Sequence, residues 1–571
     1  RYHSWAWAGT TVWGVASKNN IYHIYTAQEL AYISAIVKNG YDLNNCEIQI
    51  EANIDLNSFE WYPIGTFENP YRGSFNGKGN TVKNIRPKIL GIEKDSQISN
   101  STGLFGYIEP SKNISFKNIN ITQTVLCGHD SSWNGFYVGG LIGSINANNV
   151  DVDISNIEYL CNVAQGNNWS FDPVYQGGII GYIKSLNKSN INIYNCINKG
   201  YISSSSYSGG TCCGGIVAVT NLSDNTFLNL YQCASTKDIW SNESVAYDVS
   251  YSGGIIAKAS GGNYIFKECA TEGYVYDRGN GSIAKTGALV AEINPRSIKV
   301  ENCEFFSHIW GESNQASGMI GYLNTSNIDN SKSYIKNSYI SAYVQGGGTG
   351  AILCCSNKDS FNLPIINTYF NNDTSKLRYF VSCLTGGGFF YNTDGVEGKE
   401  WCVNSSFKTG NELKTNHALY DEWDFVNVWK YDESGYPILK CFENITPCSE
   451  HNYINKIVSP TCTAKGYTTH TCSKCGYTYN DNYVDALGHD YSVYSKTVAP
   501  TCTDKGYDVY NCSRGDSWTK YNLVPALGHN YSENATGHKN PTCTDKGYDE
   551  YTCSRCNNIE KRNYVDALGH V

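Results

Sequence analysis

The sequence predicts an all-β chain: a right-handed β-solenoid with an N-terminal cap, followed by three small β modules stapled by disulfides. Three observations carry this. A glycine motif recurs at Gly139-Gly-Leu-Ile-Gly, Gly177-Gly-Ile-Ile-Gly, Gly214-Gly-Ile-Val-Ala and Gly253-Gly-Ile-Ile-Ala, at spacings of 37 to 39 residues. A second marker, Cys161, Cys196, Cys233, Cys269 and Cys303, keeps phase with it. Beyond residue 450, Pro460-Thr-Cys-Thr, Pro500-Thr-Cys-Thr and Pro541-Thr-Cys-Thr open three near-copies of one short unit. Repeats at a fixed period mean that each unit buries its apolar face on its neighbours, so 571 residues need no single large core.

Composition agrees. Charged residues make up only 17% of the chain, while Gly (55) and Tyr (45) are abundant, which suits strands joined by Asn/Gly turns rather than helical bundles. The net charge of −9 is spread without any Lys/Arg stripe, so nucleic acid is excluded as a partner. No stretch has the 18 or so apolar residues of a membrane span. The start at Arg1, without a Met, suggests a processed, exported product.

The elements follow in order. Residues 1–20 hold Trp5, Trp7, Val12, Trp13 and Val15, a strand apolar on both faces that wants burial on both sides. It either adds to its own first rung or serves as an arm that inserts into a second copy. Residues 21–100 hold the cap and first rungs. Thr26 opens a segment, Ala27 to Val37, with apolar residues at helical spacing, and a helix there would cover the open edge of a solenoid. Residues 101–443 hold the repeats, closed by Trp423-Asp-Phe-Val-Asn-Val-Trp and Tyr436-Pro-Ile-Leu. With the Pro63-Ile-Gly and Gly73-Ser-Phe-Asn-Gly entry, these motifs make residues 20–443 resemble the GLUG-motif β-helix proteins, secreted or surface-anchored repeat proteins found largely in bacteria. The resemblance implies a fold and an extracellular setting, and no particular activity.

The tail divides into modules at 444–489, 490–529 and 530–571, and resembles tandem modules of gut-bacterial surface proteins. Each is too small to hold a useful core without a staple. Cys462, Cys472, Cys475 and His489 form a Cys-x9-Cys-x2-Cys-x13-His set that could close a zinc site within one module. The middle copy argues against it, because Gly515 stands where the third sulfur belongs. A disulfide survives that loss, so Cys462–Cys472, Cys502–Cys512 and Cys543–Cys553 are the favoured bridges, each closing a loop for roughly 2–3 kcal/mol. The rung cysteines read as a buried ladder of small apolar groups.

Polysaccharide lyases and glycoside hydrolases share the β-helix, but their chemistry needs clustered carboxylates. The nearest match, Asp151-Val-Asp153, reads as a solvated strand face. The expectation is therefore a non-catalytic extracellular protein without cofactor, structural or adhesive, whose partners are itself, in head-to-tail filaments, or surface glycans and proteins. The alternative is a carbohydrate-active enzyme or a glycan-binding module.

Overall fold

A computed structural model describes residues 17, 19–87, 101–123, 136–161, 174–206, 210–243, 249–279, 283–311, 315–346, 349–357, 361–375, 377, 379–385, 389–392, 401–442, 453–472, 478–515 and 518–570. Trp5, Trp7, Val12, Trp13 and Val15 lie outside these residues, as does Cys475. The chain forms two units, residues 1–450 and 451–571. Among the described residues no helix is long and apolar enough to cross a membrane.

The first unit is a parallel β-solenoid. Its strands alternate buried and outward-facing residues, as in Asn190–Asn198, and neighbouring rungs pair in register. Val152 lies between Ile114 and Ile191, and the column continues through Leu228, Tyr264 and Ile298. All six are buried in one continuous core. The glycine motifs stack as expected: Gly139, Gly177, Gly214, Gly253 and Gly287 are successive partners in a seven-stranded sheet. The reason is steric. A Cβ on Gly177 would lie 1.9 Å from the Ile180 carbonyl oxygen, and one on Gly178 would lie 2.1 Å from the Gly215 oxygen in the next rung. Only hydrogen fits at either place.

Asparagine explains a second corner. Asn118, Asn156, Asn195, Asn302, Asn337, Asn367 and Asn404 all have φ between 47° and 57°, a left-handed conformation that Asn tolerates better than most residues. Their amides also form a ladder: Asn156 Nδ2 donates to Asn118 Oδ1 at 2.8 Å, and Asn195 Nδ2 to Asn156 Oδ1 at 2.9 Å.

The residue after this corner faces inward, and there the cysteine ladder stands, with one correction. Cys196, Cys233, Cys269 and Cys303 occupy equivalent places. Each thiol donates to a carbonyl of the preceding rung, as Cys233 does to Ile193 at 3.4 Å and Cys269 to Leu230 at 3.4 Å. Cys161 is buried but not part of the column, because Cys196 pairs with Ile157. The rung between them is longer than the cysteine spacing, so Cys161 falls beside Gly200 instead. Burial pushes the Cys233, Cys269 and Cys303 thiols well above their ordinary range.

The N-terminal cap is helix Ala27–Lys38. Thr26 and Glu29 close it with a reciprocal capping box, and Leu30, Ile33 and Val37 pack into the solenoid core. The far segment behaves differently from an end cap. Helix Gly410–Thr415 and hairpin Trp429–Tyr431/Pro437–Leu439 bury Leu413, Tyr420, Trp423, Trp429 and Tyr436 against Ala234, Ala270, Phe306, Tyr339 and Tyr369. Those five partners come from successive rungs. The segment is thus a buttress along one flank.

The second unit contains three three-stranded antiparallel sheets: Tyr453–Val458, Gly466–Cys472 and Thr478–Val484; Val493–Val498, Gly506–Asn511 and Trp518–Val524; and Gly537–Lys539, Gly547–Thr552 and Ile559–Val565.

Candidate metal centre

The first two tail modules each build one thiol–imidazole pair by themselves. The Thr-Cys-Thr loop and the Leu-Gly-His turn are joined by two backbone hydrogen bonds. In the middle module Leu527 N donates to Thr501 O at 2.8 Å and Gly528 N to Cys502 O at 3.0 Å. The first module repeats them with Leu487–Thr461 and Gly488–Cys462, and the third with Leu568–Thr542 and Gly569–Cys543. The glycine in each turn has φ near +70° (Gly488 70°, Gly528 69°, Gly569 75°), which an L side chain rarely adopts. This clamp sets His489 and His529 beside Cys462 and Cys502, and each imidazole stacks on the next tyrosine, Tyr491 or Tyr531.

The remaining ligands come from the following module. Cys553-Ser-Arg-Cys556 leaves the second strand of module three and docks on the Leu-Gly-His turn of module two. Ser554 N donates to Asn530 O at 2.9 Å, and Arg555 Nη1 donates to Leu527 O at 2.8 Å. The result gathers Cys502, His529, Cys553 and Cys556 with all four candidate ligand atoms within 4.8 Å of one another. Cys502 Sγ lies 3.8 Å from Cys553 Sγ, and Cys556 Sγ lies 3.2 Å from His529 Nδ1. Sulfurs at the corners of a tetrahedron with Zn–S bonds of about 2.3 Å stand about 3.8 Å apart. Backbone N–H groups of Asn530 and Arg555 point at Cys553 Sγ from 3.3 and 3.5 Å, as donors around a metal-bound thiolate do. Desolvation opposes ionisation of Cys553, but the Arg555 and Asn530 amides and the His529 ring outweigh it and pull its pKa down to about 5. Cys502 beside it is held up at about 11, by desolvation and by the Cys556 and Cys553 sulfurs.

At the junction between the first two modules the described residues repeat this with three ligands. Cys462, His489 and Cys512 converge, with Cys462 Sγ 3.6 Å from Cys512 Sγ. The docking contacts persist: Ser513 N donates to Asp490 O at 2.7 Å, and Arg514 Nη1 to Gly488 O at 3.1 Å.

One expectation is corrected here. Cys462, Cys502, Cys512, Cys543 and Cys553 carry no disulfide, so the bridges Cys462–Cys472, Cys502–Cys512 and Cys543–Cys553 are not formed. Of the four-residue set, Cys462 and His489 converge with Cys512 of the following module, while the Cys472 side chain and Cys475 lie outside the described residues. The physical reason is that the Cys553–Cys556 turn docks on the Leu-Gly-His turn of module two, and the Cys512–Gly515 turn on that of module one. Spacing along the chain carries no sign of this, since every thiol pair has a histidine both upstream and downstream. Gly515 was the one available signal. A module without its second thiol, beside a neighbour with an intact Cys502 and His529, hints that loss and retention belong to different sites.

Elsewhere, the carboxylates of Asp151 and Asp153 are engaged by asparagines of neighbouring rungs. Asn190 Nδ2 donates to Asp151 Oδ1 and Asn192 Nδ2 to Asp153 Oδ1, both at 2.8 Å. Two outward rows of rings run along another face. Tyr276 stacks on Trp310 at 4.3 Å beside Trp240, while His308 lies between Tyr274 at 4.8 Å and Tyr343 at 4.3 Å. No family model, curated protein or solved structure matches the chain.

Proposed function

We propose that this chain is a non-catalytic extracellular surface protein, structural or adhesive, which associates head to tail through its apolar residues 1–16. The observation that carries the reading is the use made of the carboxylates best placed for hydrolysis: Asp151 and Asp153 accept hydrogen bonds from an asparagine ladder that holds rungs together. A glycosidase pair instead needs a protonated acid and a free base or nucleophile facing one substrate. The test is incubation of the purified protein with a panel of acidic and neutral polysaccharides, scored for new reducing ends and unsaturated products. The reading expects none, and release of either overturns it. For self-association, deletion of residues 1–16 should abolish filaments seen by electron microscopy. A full-length protein that stays monomeric at high concentration removes that part.

A second reading, a glycan-binding flank, draws on the ring rows around Trp240, Tyr276 and Trp310. Trp240 is 38% exposed, and aromatic faces and edges are the common means of holding sugars from a flat sheet. Trp240→Ala with Trp310→Ala should then lower retention in affinity electrophoresis against a retained polysaccharide, with unchanged thermal stability.

A further inference from the structure

We propose that the tail binds zinc across its module junctions: in a closed four-ligand site between modules two and three, and in a three-ligand site with an open coordination position between modules one and two. This stands independently of the functional reading above.

The closed site has the donor set that selects zinc. Three sulfurs and one imidazole nitrogen suit a soft tetrahedral cation and not calcium or magnesium. Its ligands arrive on pre-shaped backbone, with Cys502 and His529 fixed by the paired loop and turn, and Cys553 and Cys556 on a two-residue turn; the Arg555 amide of that turn and the Asn530 amide of module two point at Cys553 Sγ. Three thiolates and a neutral imidazole on one zinc ion make a complex of charge −1, with Arg555 anchored nearby on Leu527 O and Gly528 O. With four protein ligands no position remains for substrate, so this zinc joins modules. Two modules contribute two ligands each, and metal binding is therefore coupled to their docking.

At the first junction the described residues supply three ligands, Cys462, His489 and Cys512. Gly515 takes the sequence position that Cys556 holds in the next module; its φ of +81° strains any side chain there, but an added Cβ meets no heavy atom within 4 Å. The docking contacts of Ser513 and Arg514 are intact, so the pocket for a metal persists without its fourth ligand. Zinc held there completes its tetrahedron with water or an added thiol or imidazole, the arrangement of a metal site that exchanges ligands.

The test uses the full-length chain, purified with zinc and then dialysed against a competing chelator, with metal counted per chain. Only differences from the parent are read. Cys556→Ser should retain one zinc fewer. Gly515→Cys should retain one more, a gain that impaired folding cannot mimic. With cobalt in place of zinc, added imidazole should change the tetrahedral absorption of the parent and not that of Gly515→Cys. An unchanged count in Cys556→Ser, or a Cys502–Cys553 disulfide in non-reduced peptides, overturns the closed site. No gain in Gly515→Cys, or an imidazole response that survives it, overturns the open one.

Discussion

At the scale of single residues, the solenoid depends on positions where one atom decides. Gly178 is such a place, because a methyl group there meets the Gly215 carbonyl oxygen at 2.1 Å, and backbone cannot yield without breaking the ladder. Gly178→Ala should cost about 3 kcal/mol in chemical denaturation, in the overpacking range. Gly79, with φ +81° and nothing within 4 Å of an added Cβ, is the control. Gly79→Ala should cost only about 1 kcal/mol, the penalty of a left-handed residue. Equal effects at both sites would show that stacking is not what Gly178 serves. These glycines were legible in the sequence because a steric rule admits one residue type. Cys161 was misread for the opposite reason: cysteine is only one of several small groups that fit the column. Ile157, not Cys161, fills that place one rung earlier.

At the scale of elements, the N-terminal helix was legible down to its cap, since Thr26 and Glu29 are a local signal. The segment 410–442 was legible as a closing element but not as a flank buttress. Its partners Phe306, Tyr339 and Tyr369 lie far away in sequence and look like ordinary strand residues. The buttress contains a pH-sensitive contact. Glu304 is fully buried, accepts a hydrogen bond from Leu439 N at 3.0 Å, and is pushed up to about 8 by burial. The folded state therefore binds a proton that the unfolded state releases near the ordinary value of 4.5. Stability from this group is fully present below that value and is lost as pH rises through about 8. Between about pH 5 and about pH 9 the parent should lose a few kcal/mol, with part of the loss removed by the neutral Glu304→Gln variant. Parallel pH profiles for the two proteins would show that Glu304 is ionised in the fold.

At the scale of the whole molecule, the repeats were legible because period and phase survive in the sequence, whereas the tail sites were not, because they join adjacent modules. The copies look self-contained in sequence, and within-module pairing is their natural reading, whereas Cys553 lies against Cys502 of the preceding module. The central claim is that thiols serve three different ends in one chain: a buried ladder, a shared metal clamp, and the exposed Cys543, on which no third cluster forms among the described residues. The most direct measurement is native alkylation of the full-length, zinc-loaded protein, mapped by peptide mass spectrometry with and without chelator. The account predicts that Cys543 reacts at once and that Cys502, Cys553 and Cys556 become reactive together only after chelation. Cys196, Cys233, Cys269 and Cys303 should react only after unfolding. A peptide linking Cys502 to Cys512, or a Cys556 that reacts equally fast with and without metal, would contradict it.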